Sequence, residues 1–168
     1  MGSLSIGRGA ALMLAFSVLA ASASAQDFGH GNGALELFDT EGQANSPTWV
    51  MVWVAFMLAT FAAGLFFVRK RIEARWAVGG FILGILCMAL LVQGIGLPPL
   101  SGFIALIHLV FWTPALILLV QRRTFLKERS LYGAWTAIMT GVILFSFVFD
   151  IRDAAIYLDY VLGIGALS

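Results

Sequence analysis

Residues 102–121 read GFIALIHLVFWTPALILLVQ, twenty in a row without a Lys, Arg, Asp or Glu. A run of ~20 apolar residues is what a helix needs to cross the ~30 Å hydrocarbon core of a bilayer. Three similar stretches accompany it: Thr48–Val68, Trp76–Leu97 and Leu131–Phe149, none with a charged side chain. In lipid every backbone polar group must be satisfied within the segment, so such stretches are read as helices. The expected fold is all-α: an integral membrane four-helix bundle with spans at 48–68, 76–97, 102–121 and 131–149. Short connections make neighbouring spans antiparallel.

The whole composition agrees. Of 168 residues, 61% are hydrophobic and 11% charged, and the mean hydropathy is +0.96. A soluble domain is about 45–50% apolar and about 25% charged. That difference excludes a soluble globular enzyme, a disordered chain and a nucleic-acid binder. The single cysteine, Cys87, excludes an intrachain disulfide, a CxxC redox pair and a cysteine zinc site.

Outside the spans the chain divides into three parts. Residues 1–25 read as a signal peptide: Arg8 in a short basic start, an apolar run from Gly9 to Ala21, and Ala23-Ser24-Ala25 as a small-x-small cleavage site. An uncleaved anchor helix is the rival reading. Residues 26–47 form a polar extracytoplasmic segment, coil apart from a helical turn at Ala34–Phe38. In it His30 reads as a solvated loop histidine. Ser46-Pro47 marks a helix start, a capping residue before a proline. Residues 151–168 form an extracytoplasmic interfacial tail, with an amphipathic helix over Ile151–Leu162 that carries Ile151, Ala155, Leu158 and Leu162 on one face.

Loop charges set the orientation. Arg69, Lys70, Arg71 and Arg75 lie between the first and second spans, and Arg122, Arg123, Lys127 and Arg129 between the third and fourth. Arg152 is the one basic residue of the mature chain on the other side. Basic residues stay cytoplasmic, so both mature termini are expected outside a bacterial inner (cytoplasmic) membrane. Of the acids only Glu73 and Glu128 fall on the basic side. Trp49, Trp53 and Trp76 suit the interfacial aromatic belts.

Membrane helices pack through small residues four apart. Such seams are Ala55, Ala59 and Ala63; Gly80 and Gly84; and Gly133, Ala137 and Gly141. They serve the bundle interior, or one of them serves self-association or a partner.

His108 is the one histidine within the spans, and an ionisable group at membrane depth is a functional hypothesis. Gln93 near the end of the second span, Trp112 one turn beyond His108, Asp150 and Trp53 are expected around it as an outward-facing polar pocket. Pro114 removes a backbone hydrogen bond from the third span and is a potential kink. The competing reading makes His108 a satisfied interhelical hydrogen-bonder to Gln93 or a backbone carbonyl. Arg69 and Glu73 are spaced to pair at i,i+4. Asp150, Arg152 and Asp153 read as a surface charge cluster.

No GxGxxG, Walker loop, HExxH or GxSxG is present, and no pair of carboxylates lies within a span. One span histidine cannot supply bis-histidine haem ligation and makes a poor metal site. The expectation is therefore a non-enzymatic small integral membrane protein: a subunit or assembly and stabilising factor of a larger inner-membrane complex, or a homo-oligomer. Its partners would be the lipid bilayer and other membrane chains. The alternatives are an oligomeric channel or transporter, and a quinone- or haem-binding redox subunit, each using the pocket at His108 and Gln93.

Overall fold

A computed structural model describes residues 28–167; the signal-peptide reading of 1–25 and the residues Gln26 and Asp27 lie outside them. The described residues are helical, with no strand among them. In chain order the helices are α1 (Thr40–Asn45), α2 (Thr48–Gly64), α3 (Ile72–Ala89), α4 (Ser101–Arg122), α5 (Thr124–Lys127) and α6 (Leu131–Leu162). A π-helical turn, Leu90–Gly94, prolongs α3.

Three helical segments are long and apolar enough to cross a membrane: Ile72–Gly94, Ser101–Lys127 and Leu131–Leu162. At 1.5 Å per residue α4 is about 33 Å long, matching the hydrocarbon thickness. α2 is equally apolar but has only 17 residues. It stops short of the expected Val68 because Leu65, Phe66 and Phe67 donate to carbonyls three residues back, at Ala62, Ala63 and Gly64, tightening the chain into turns. The bundle faces are clad in large apolar side chains, with Phe66 87% and Leu131 86% exposed.

Two boundaries differ from expectation at the ends. Pro47 precedes helix α2 instead of occupying its first turn. The Ser46 hydroxyl, expected to cap α2, donates backward to the Gly42 carbonyl at the end of α1. The α1 helix itself falls in a segment read as coil; the Asp39 carboxylate caps it, accepting from the Gly42 amide at 2.9 Å.

The largest correction concerns the C-terminal third. The fourth span and the separate interfacial helix are one continuous helix, α6, of 32 residues. Its length is about 48 Å, which leaves roughly a dozen residues beyond a ~30 Å core. No Gly or Pro interrupts Val142–Leu162, so nothing breaks the backbone where the charges begin. Gly163, at φ +64, ends the helix. There the Gly163 and Ile164 amides donate to Tyr160 and Asp159 carbonyls, the Schellman arrangement.

α4 lies at the centre, packed along α6 and α3, while α2 leans more lightly on α3 and α6. Trp112, Phe61, Leu119, Met139 and Ile143 are buried in the main core. The α3–α4 contact uses the Gly80 and Gly84 seam. A methyl group on Gly80 would collide with the Phe111 carbonyl, and one on Gly84 would stand 3.3 Å from Ile107 Cγ2. The other two seams behave differently. Gly133 is buried, but against the Glu128 carbonyl of its own connecting turn. Ala137 and Gly141 are exposed, as are Ala55 and Ala59, and nothing lies within 4 Å of a Cβ built on Gly141.

The N-terminal segment closes one end of the helices. Phe38 donates to the Pro99 carbonyl, and the Ser101 and Gly102 amides donate to the carbonyls of Glu36 and Ala34. The open N–H groups that every helix start leaves are thus satisfied for α4 by the chain upstream. Gly102 is the position where this becomes possible: a Cβ there would lie 2.6 Å from the Asp153 carbonyl oxygen and 2.8 Å from that of Ala34.

Candidate functional site

His108 stands on the second turn of α4, on the face turned toward α6. Its Nδ1 lies 3.3 Å from Asp150 Oδ2. A carboxylate only accepts, so the imidazole Nδ1 carries the proton and donates. The side chains are 23% and 14% exposed, more shielded than a surface ion pair. The ring stacks on Trp112 one turn along, with centroids 4.0 Å apart and planes inclined by 15°. Trp112 is itself buried, which holds the imidazole from behind.

Two cavities meet at this histidine. One, of about 340 Å³, lies between α3 and α4 and is lined by Phe81, Ile85, Met88, Gln93, His108 and Trp112 among others. The second, of about 260 Å³, lies between α2, α4 and α6, with Trp49, Trp53, Ser146, Asp150 and Asp153 in its wall. His108 lines both.

The residues expected to surround His108 therefore divide. Trp112 and Asp150 touch it, and Trp53 borders the second cavity. Gln93 shares the first cavity but forms no hydrogen bond with His108. The interhelical partner of the histidine is the carboxylate of α6, not the amide of α3. Within the acidic cluster, Asp153 faces Arg152 at 3.5 Å, while Asp150 turns inward. Pro114 sits inside a helix that stays continuous to Arg122.

A second polar group lies at the basic end, where no functional residue was expected. The Glu73 side chain is 4% exposed. The Tyr132 hydroxyl donates to it at 2.9 Å and the Thr124 hydroxyl at 3.3 Å. Arg122 Nε approaches to 3.7 Å. Arg69 does not pair with it. Alongside, Arg71 grips Glu128 with two parallel bonds of 2.8 and 2.9 Å, and its guanidinium lies 4.4 Å above the Tyr132 ring. Arg122 thus ties the end of α4 to the start of α3, and Arg71 ties that start to the turn before α6 and to Tyr132 on it. The only sequence signal for this cluster was an acid placed at the mouth of an apolar run among arginines.

In the N-terminal segment His30 is half-buried. Its Nδ1 lies 3.0 Å from Asp39 Oδ1, and its Nε2 3.8 Å from Glu41 Oε2. It is a paired residue of the α1 cap. The Gly42 amide, and after it the His30 ring, hold the Asp39 carboxyl below its ordinary pKa.

Among the described residues no group of three or more His, Cys, Asp and Glu is placed to hold a metal ion. The class that fold and composition define is an all-helical protein with three helices able to cross a membrane. Compared with known protein families, curated proteins and solved structures, the chain matches none.

Proposed function

We propose that this is a multi-pass, non-enzymatic protein of a bacterial inner membrane, with α2 as a fourth span beside α3, α4 and α6. It acts by association, as a subunit or assembly and stabilising factor of a membrane complex or as a homo-oligomer. The observation that carries this reading is the fate of the small residues. Gly80 and Gly84 are consumed in the α3–α4 contact. Ala55 and Ala59 on α2, and Ala137 and Gly141 on α6, are exposed. Small residues let helix backbones approach closely in lipid, where apolar surface alone gives no drive to associate. An isolated chain has no use for two such faces turned outward. The eight basic residues of the two loops between spans support a cytoplasmic position for those loops.

Extraction from native membranes in a mild detergent, followed by native mass measurement, tests the reading. The expected result is a multiple of the chain mass, or a stable complex with another membrane protein. Ala59→Leu together with Gly141→Leu should release the monomer without unfolding it. A wild-type chain that runs alone as a monomer, or an assembly indifferent to both substitutions, would refute the proposal.

A further inference from the structure

We infer that the cavity between α3 and α4 is a binding site for a neutral, lipid-soluble ring bearing hydroxyl groups, the chemistry of an isoprenoid hydroquinone. The cavity is marked by what it lacks. Its wall is apolar along most of its length, with Phe81, Ile85, Met88 and Ile107, and it holds no Lys, Arg, Asp or Glu. A phosphate headgroup would therefore enter without a countercharge, which is costly away from water. A neutral molecule bears no such cost.

Its side-chain hydrogen-bonding groups are Gln93, His108 and the indole N–H of Trp112. With Nδ1 turned to Asp150, the imidazole tautomer protonated at Nδ1 leaves Nε2 as an acceptor. That nitrogen meets no hydrogen-bond partner among the described residues, and neither does the Gln93 amide. In a membrane an unsatisfied polar group is expensive, so both invite a ligand that brings its own. The imidazole wants a hydroxyl donor. The amide offers both N–H and C=O, and so accepts a hydroxyl or a carbonyl. A ring with two oxygens meets both groups at once.

Access and size are consistent. Ile85 is 53% exposed and Gln93 is exposed, so the cavity opens on the outside of the helix pair. About 340 Å³ falls at the lower end of the ~300–1,000 Å³ typical of small-molecule sites, room for one substituted ring and the start of its chain. The π-helical turn Leu90–Gly94, which carries Gln93, is the kind of helix irregularity that concentrates at functional sites. Trp112, stacked on His108, is a built-in optical reporter.

The test uses the full chain in lipid nanodiscs, titrated anaerobically with a decyl-substituted benzohydroquinone and followed by tryptophan fluorescence. Its controls are the oxidised dione and decyl phosphate. The hydroquinone should quench saturably. His108→Ala should weaken it about 10-fold and Gln93→Leu about 3-fold, the range that lost hydrogen bonds give. The dione should bind about 3-fold more weakly, having no proton for Nε2. Should His108→Ala fail to fold, the exposed Gln93→Leu decides. No saturable quenching in the wild type, equal affinity in both variants and wild type, or equal binding of decyl phosphate would each overturn the inference.

Discussion

Two polar clusters sit about 27 Å apart along α6, one around Glu73 and one around His108, and they are built in opposite ways. At Glu73 the carboxylate is almost wholly covered and meets two hydroxyls and an arginine. Beside it the Arg71–Glu128 pair has both bonds at 2.8–2.9 Å, the distance of strong charge-assisted bonds. At His108 a single contact of 3.3 Å joins histidine to carboxylate, longer than a good N–H···O bond, and cavities lie on both sides. The first cluster closes the helix ends and leaves no buried side-chain polar atom without a partner. The second keeps a ring nitrogen unused beside open space. Buried polar groups fully satisfied specify structure; groups left partly unsatisfied at membrane depth point to function.

The most drastic way to break this contrast is to part the helices that both clusters share. Gly80→Val drives a side chain into the Phe111 carbonyl, so α3 must move off α4. The expected loss is about 3 kcal/mol, at the upper end for overpacking, measured by reversible unfolding in mixed micelles. A loss below about 0.5 kcal/mol would mean that α3 and α4 do not approach so closely.

A smaller effect sharpens the contrast from the closed side. Tyr132→Phe removes one donor from Glu73 and leaves Thr124 and Arg122 in place. It should cost about 1 kcal/mol in the same assay. No change would show that Glu73 does not depend on its tyrosine.

The smallest effect lies outside both clusters. Asp39 has a depressed pKa, so its cap favours the folded segment above the ordinary value of 3.8. That contribution fades as the pH falls below this value and the carboxyl takes up its proton. Amide exchange at Gly42 should rise below about pH 4 in wild type and be elevated at all pH values in Asp39→Ala. Exchange that is independent of pH in this sense, once corrected for intrinsic rates, would contradict the cap.

Much of the fold was legible because lipid imposes a severe rule: charge stays out of the hydrocarbon. The stretch 102–121 marks α4 to within a residue at each end, and Trp112 meets His108 as their one-turn spacing suggested, while Asp150 reaches it from α6. Hydropathy reports the surroundings of a helix and not its backbone, which is why α6 was divided at Asp150. The helix runs on, since Asp150, Arg152 and Asp153 alter solvent preference without breaking a hydrogen bond. Glu73 was illegible for another reason. Its partners Thr124 and Tyr132 are 51 and 59 residues away, and no local pattern encodes such a meeting. Gln93 shares a cavity with His108 without bonding it, and the interhelical partner, Asp150, comes from α6, 42 residues away.

The central claim is that one cluster holds the protein together and the other is held open by it. Unfolding free energies of Glu73→Ala and His108→Ala, measured side by side in the same micelles, test it most directly. Glu73→Ala strands the Tyr132 and Thr124 hydroxyls and should cost at least about 2 kcal/mol. His108→Ala should cost less than about 1 kcal/mol, in keeping with single hydrogen bonds between membrane helices. Equal losses, or a larger loss for His108→Ala, would contradict the account and make the histidine a structural tie.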